Sequence, residues 1–271
     1  MSFRLANLAG TAALVDDQGG LHPLDLDPMT AIADVATLHD RSSQLDPSNA
    51  TARLDHDALG PPVPAPRSVF AIGLNYADHI AESNLEAPAV PLVFTKFPGC
   101  IVGPNADVVL ESGTVDYEAE LVVVIGSDAR NVTAADAWGV VAGVTAGQDI
   151  SDRALQFAAA PPHFDLGKSR DTYGPIGPVV VSPDLLPDRD ALGITCDIND
   201  DRRQDGTSSD LIFDVAAIIE YISSILTLRS GDIVFTGTPA GVGMATGAFL
   251  QPGDVITTTI EGIGTLTNVC R

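Results

Sequence analysis

The residues with the clearest chemistry lie in Val115-Asp-Tyr-Glu-Ala-Glu-Leu-Val-Val-Val-Ile-Gly126. Read as a strand, this stretch alternates its side chains between two faces. One face carries Tyr117, Ala119, Leu121, Val123 and Ile125, which is the pattern of a core. The other carries Asp116, Glu118 and Glu120, then Val122 and Val124. Carboxylates buried side by side repel one another unless a proton or a cation joins them. Alone, the stretch fits two arrangements equally: a partly buried cation site, or the solvent face of an edge strand. A third acid favours the cation site. Ala142-Gly-Val-Thr-Ala-Gly-Gln-Asp149 is a small-residue strand that ends in a carboxylate, and small residues admit close neighbours. Glu118, Glu120 and Asp149, with positions left for water and ligand, suit Mg²⁺ or Mn²⁺, with Ca²⁺ as an alternative. No His or Cys lies near them in sequence, so zinc is not expected.

His79 and Glu82 stand three apart on a predicted helix and share a face. A carboxylate that orients a histidine makes it a better base, although an exposed surface pair is the commoner outcome of that spacing. His22, His39, His56 and His163 read as surface or loop residues. Lys168 follows Gly167 in a Gly-Lys-Ser run, but a phosphate loop needs a glycine where Pro162 stands. Gly237, Gly241, Gly243 and Gly247 follow a predicted strand without the spacing or the helix of a dinucleotide fingerprint. That loop reads instead as offering backbone amides and the Thr238 hydroxyl to a ligand carboxylate. Arg153 could grip a carboxylate with two hydrogen bonds; a structural salt bridge is the alternative.

These groups need a framework. Hydrophobic residues make up 45% of the 271, enough for a real core. Strands are predicted at Val69–Gly73, Leu92–Lys96, Asp107–Leu110, Leu121–Ile125, Gly139–Ala146, Pro178–Val181, Gly193–Ile198, Asp232–Thr236 and Val255–Ile260. Helices are predicted at Asn75–Ser83, with Asn75 as N-cap, and at Phe213–Leu226. Residues 1–60 form a small N-terminal part that is polar and helix-tinged, with strands at Ala12–Val15 and near Leu24. A proline-rich linker at 61–67 separates it from a larger domain at 68–271. Strands do not alternate regularly with long helices, so a doubly wound parallel sheet is disfavoured.

The charge balance excludes other classes. Thirty-six acids against 14 Lys and Arg give −22, so nucleic acid and anionic membranes are not expected partners. Cys100, Cys196 and Cys270 are scattered and read as reduced thiols. No apolar run is long enough for a membrane span, and no signal peptide is evident, which makes the cytoplasm the expected location.

The chain resembles the fumarylacetoacetate hydrolase family over about residues 68–269. The matching blocks are Gly73-Leu-Asn-Tyr-Ala-Asp-His79 with Glu82, Pro91-Leu-Val-Phe-Thr-Lys96, Asp116-Tyr-Glu-Ala-Glu-Leu121, Asp149-Ile-Ser-Asp-Arg153 with Gln156, and Gly167-Lys-Ser169 with Asp171-Thr172. They continue with Gly177-Pro178, Gly231-Asp232, Thr236-Gly-Thr-Pro-Ala-Gly-Val-Gly243 and Pro252-Gly-Asp254. Their order and joint presence are specific. The resemblance implies a mainly β, α+β fold of the mixed β-roll type, a small N-terminal domain and a homodimer. It implies Glu118, Glu120 and Asp149 as metal ligands, and a His79–Glu82 pair on a mobile lid helix that activates water. Lys168 becomes a positive partner for substrate, and Arg153 and Gln156 match positions that contact it. Family substrates are acylpyruvates and related keto acids, including 2-hydroxyhepta-2,4-diene-1,7-dioate and oxaloacetate-like acids, as in aromatic-compound catabolism. Hydrolytic carbon–carbon cleavage, isomerisation and decarboxylation all occur. The sequence departs from the family at Leu74, where some hydrolytic members carry a basic residue, and at Phe97-Pro-Gly-Cys100.

Overall fold

The computed structural model describes residues 2–83 and 86–271. The main sheet runs through Ala52–Arg53, Gly20–Pro23, Thr11–Val15, Arg4–Leu8, Gly174–Val181, Val141–Gln148, Ala119–Ile125, Ile233–Phe235, Val69–Gly73 and Leu92–Lys96. Leu59–Gly60 and Ile101–Val102 attach to its side. A second sheet orders Asp201–Thr207, Gly193–Ile198, Val255–Ile260 and Gly264–Val269, while Val115–Asp116 pairs with Ser151–Asp152. Most pairing is antiparallel; Ile233–Phe235 runs parallel to Val69–Gly73. Helices are short, the longest among the described residues being Val215–Ile225. This is the expected α+β class dominated by mixed β structure.

The carboxylate strand is central. Ala119–Ile125 pairs with Val141–Gln148 on one side and Ile233–Phe235 on the other, and all seven of its residues are buried. That excludes the solvent face of an edge strand. Burial on both faces also explains why its valine-rich half does not alternate with polar residues. Glycine permits the close packing: a Cβ on Gly147 would sit 2.5 Å from Val122 Cγ2 and 2.8 Å from Phe235 Cε1. The Val215–Ile225 helix buries Val215, Ile218, Ile219 and Ile222, one stripe at helical spacing. Asp214 caps it, accepting a hydrogen bond from Ala217 N at 2.7 Å.

Several predicted elements differ. Asn75 does not cap a helix: its side chain accepts from Phe213 N at 2.8 Å and donates to Thr236 O at 2.7 Å. The helix is Ala77–Ser83. Asp107–Leu110 is no strand; only Val108 forms an isolated bridge, with Cys270, because the segment runs beside the C-terminal residues without a continuous ladder. The predicted Gly139 strand start belongs to a 3₁₀ turn, Ala134–Val140, and the strand runs two residues past its predicted end, to Gln148. Asp232 lies just outside its strand because its carboxylate accepts from Ser68 N and Arg229 N in the preceding turn. The N-terminal part is more β than its polarity suggested. Arg4–Leu8 and Thr11–Val15 form a hairpin through Ala9 and Gly10, both at positive φ. Arg4–Leu8 also pairs with Gly174–Val181, so these strands continue the main sheet.

Candidate active site

The sheet brings three acids to one point. Asp149 follows the Val141–Gln148 strand, and its amide donates to Glu118 O at 2.9 Å. Gln148 locks the same junction, accepting from Glu118 N at 2.9 Å and donating to Thr258 Oγ1 at 2.7 Å. Glu118, Glu120 and Asp149 are 6%, 2% and 0% exposed. Each offers an oxygen within 4.8 Å of the others, a spacing at which two like charges repel by roughly 3 kcal/mol at an effective dielectric constant of about 20.

Cations offset part of that repulsion, at Glu118 and Asp149. Lys168 Nζ donates to Glu118 at 2.6 Å and to Asp149 at 2.7 Å. Lys96 Nζ donates to Asp149 at 2.7 Å, to Tyr173 O at 3.0 Å and to Lys168 O. Arg153 reaches Asp116 at 2.8 Å and Glu118 at 2.6 Å. Burial would push the Glu118 carboxyl up, but Lys168 and Arg153 outweigh it and hold it below the ordinary range. Lys168 stays an ammonium because Asp149 and Glu118 outweigh its own burial. Glu120 is different. Its hydrogen-bond donor among the described residues is Gly237 N at 2.7 Å. Burial, then Asp149 and Glu118, push its carboxyl well above the ordinary glutamate value. Four carboxylates, counting Asp116, thus meet three cations. The deficit is one charge, which a divalent ion would cover while leaving one positive charge for an anionic ligand, and an all-oxygen donor set is what Mg²⁺, Mn²⁺ or Ca²⁺ takes.

His79 Nδ1 lies 2.7 Å from Glu82 Oε1. An ionised glutamate can only accept, so the neutral imidazole compatible with this contact carries its hydrogen on Nδ1 and its lone pair on Nε2. The other Glu82 oxygen accepts from Gly241 N at 2.9 Å, and Asp78 accepts from Ala240 N at 3.3 Å, tying this helix to the glycine-rich loop. His22 pairs with Asp16 at 2.9 Å, and His39, less exposed than expected, packs edge-on against Phe3.

His79, Glu118, Glu120, Arg153, Gln156 and Lys168 all line one cavity of about 320 Å³. Much of the remaining lining is apolar, including Leu74, Phe94 and Phe164. Leu74 holds φ +55°, a conformation that costs a non-glycine residue about 1–3 kcal/mol and persists where surrounding contacts enforce it.

Two residues expected to contact substrate also have partners within the protein. Thr238 lines the cavity, but its hydroxyl donates to Ala119 O at 2.9 Å and accepts from Gln204 Nε2 at 2.7 Å. The loop amides serve the protein's own acids: Gly237 N donates to Glu120, and Gly243 N and Met244 N to Asp116. Arg153 takes the salt-bridge alternative, held by Asp116, Glu118 and, at 2.9 Å, Gln156 Oε1. Sequence reasoning missed the roles of Lys96, Asp116, Asn75 and Gln148. A usable signal existed for Lys96: it and Lys168 are the chain's only two lysines, and both lie at the site.

A β fold that buries three acids beside a His–Glu pair defines a class of enzyme acting on small molecules through an acidic centre. The family model described as fumarylacetoacetate (FAA) hydrolase C-terminal matches residues 68–271, and the chain belongs to this family of hydrolases, isomerases and tautomerases. It is 36% identical over 237 residues to a mitochondrial oxaloacetate tautomerase of Xenopus laevis, covering 86% of this chain and 74% of that one. The crystal structure of a Mycobacterium smegmatis protein provisionally named HpcE superposes with TM-score 0.93 at 42% identity, covering 98% of each chain. Maleylpyruvate hydrolase of Sphingobium sp. SYK-6, solved with manganese(II) and pyruvate, superposes with TM-score 0.82 at 27% identity, again over 98% of each. No helix among the described residues is long and apolar enough to cross a membrane.

Proposed function

We propose that this chain is a divalent-metal-dependent hydrolase that cleaves a carbon–carbon bond in acylpyruvates and related diketo acids. The carrying observation is that His79, held by Glu82, and two acids of the triad, Glu118 and Glu120, open onto one cavity, with Asp149 buried directly behind them. Glu118, Glu120 and Asp149 would hold Mg²⁺ or Mn²⁺, which when bound supplies Lewis-acid polarisation of the 2-oxo acid end. His79 Nε2 accepts a proton from water, whose oxygen attacks the distal carbonyl. Glu82 keeps the ring in the tautomer that can do so. The Lys168 ammonium faces the cavity and offsets negative charge that develops there. Arg153 and Gln156 hold Glu118 in place and border the bound acid, and Thr238 shapes the wall. The products are pyruvate, or a substituted pyruvate, and a carboxylic acid. A homodimer is part of the proposal, supported by apolar Leu92, Val93 and Phe97 exposed on and beside the edge strand.

Pyruvate release from acetylpyruvate, with Mg²⁺ or Mn²⁺ and with a chelator, tests the reading. Metal-dependent release is expected. A Glu118→Ala variant that kept both its metal content and its turnover would refute it. Likeness to the tautomerase favours a second reading, enol–keto isomerisation or decarboxylation of an oxaloacetate-like acid. Loss of enol absorbance, or carbon dioxide release, without carbon–carbon hydrolysis would select it.

A further inference from the structure

The cavity has two chemically distinct walls. One is Glu118, ion-paired with Arg153 and Lys168, together with Glu120 and His79. The other is Ile72, Leu74, Phe94, Phe157, Phe164 and Met244. Phe94 and Phe164 meet edge to face with centroids 5.4 Å apart. Lys168 Nζ lies 5.3 Å from the Phe94 ring centre, so the aromatic wall starts directly beside the charged one. Phe157 and Met244 are 48% and 37% exposed, large apolar surfaces left uncovered at a cavity.

A ligand with a carboxylate at each end would need a donor for the second one. The two cations in the lining are already shared among protein acceptors, Lys168 between Glu118 and Asp149 and Arg153 among Asp116, Glu118 and Gln156, which leaves the neutral Gln156 amide as a side-chain donor but no uncommitted lysine or arginine. No other lysine or arginine among the described residues lines the cavity. The loop amides of Gly237, Gly241, Gly243 and Met244 point at Glu120, Glu82 and Asp116. The segment from Ala77 to Val90, which follows the wall residue Leu74, brings Asp78, Glu82 and Glu86 and neither lysine nor arginine; its one basic residue, His79, has Nδ1 paired with Glu82. Burying a second carboxylate against the apolar wall without a partner is strongly unfavourable. Leu74 holds its side chain on this wall from a left-handed backbone, an outlier of the kind that marks a functional position.

We infer, on the keto-acid reading above, that the cavity selects a 2-oxo acid with one carboxylate and an uncharged apolar tail, and rejects the matching dicarboxylate. The test is calorimetric binding to the Mn²⁺-loaded protein of 2-oxooctanoate, 2-oxosuberate and pyruvate. The first two have equal chain length and differ only by the terminal carboxylate. 2-Oxooctanoate should bind at least tenfold tighter than 2-oxosuberate, and tighter than pyruvate by up to about fourfold for each methylene buried. Leu74→Arg should shift the ratio towards the diacid by tenfold or more, and Phe157→Ala should narrow the gap between 2-oxooctanoate and pyruvate. Equal or tighter binding of the diacid by the wild-type protein would overturn the inference, as would 2-oxooctanoate binding no tighter than pyruvate. If pyruvate binds only with metal present and the tails make no difference, this inference falls alone. If none of the three shows metal-dependent binding, the keto-acid reading falls with it.

Discussion

The acidic triad, which reaches the cavity through Glu118 and Glu120, and the His79 helix on the same cavity are held very differently. The triad sits on and beside a central strand paired on both sides, with Lys96, Lys168, Arg153 and Gln148 bracing it from within. The Ala77–Ser83 helix exposes Ala77, Asp78 and Ala81 and is tied to the glycine-rich loop through Glu82 and Asp78. The first region is built into the core and could not rearrange without unfolding. The second could detach by breaking a few hydrogen bonds. Affinity for a cation and turnover should therefore respond to different residues.

The largest effect should come from Glu118→Ala. It removes a proposed ligand and leaves Lys168 and Arg153 short of an acceptor inside the protein, a change that costs about 3–5 kcal/mol. Metal titration and thermal unfolding should both show heavy losses; a loss of turnover alone would break the comparison. His79→Ala should lower kcat by about 10²–10⁴-fold while metal affinity stays near wild type. A parallel fall in metal affinity would show that the two regions are not separable. Glu82→Gln keeps the shape but weakens the hold on Nδ1–H, and kcat should drop roughly 10–100-fold, as for other carboxylates that orient histidines. A Glu82 variant with unchanged kcat would make the pair structural.

The smallest effect concerns pH. The raised Glu120 carboxyl keeps its proton at pH values where an ordinary glutamate has lost it. A cation must displace that proton, so metal uptake releases it and affinity rises with pH by up to about tenfold per unit within that window. The metal-free fold binds a proton there that the unfolded chain has lost, so its stability falls as pH rises through the window. The rise in Tm on adding Mg²⁺ should accordingly grow with pH. A difference independent of pH would place the missing positive charge elsewhere.

The triad was legible because alternation put Glu118 and Glu120 on one strand face and because Asp149 ended a strand of small residues. The direction of burial was not, since two explanations of the same face competed until the pairing on both sides was known. Asn75 and Gln148 were illegible for another reason: their partners, Phe213, Thr236 and Thr258, are distant in sequence, and only the fold makes them neighbours. Asp201–Thr207 was missed as a strand because its charged, glycine-containing sequence lacks β character of its own. It pairs because Asn199, at positive φ, turns the chain back beside Gly193–Ile198. Arg153 and Thr238 were found at the cavity, but their hydrogen-bond partners depended on Asp116 and Gln204.

The two lysines have one more consequence. Lys96 is buried at 0% exposure and Lys168, at 3%, is reached only through the cavity and is ion-paired there, so the folded chain presents almost no side-chain amine at its outer surface. Amine-directed dyes and crosslinkers should find little beyond the α-amino end. Any further label counted by mass spectrometry would then report molecules whose interior has opened, a direct gauge of how often the charged cluster breathes.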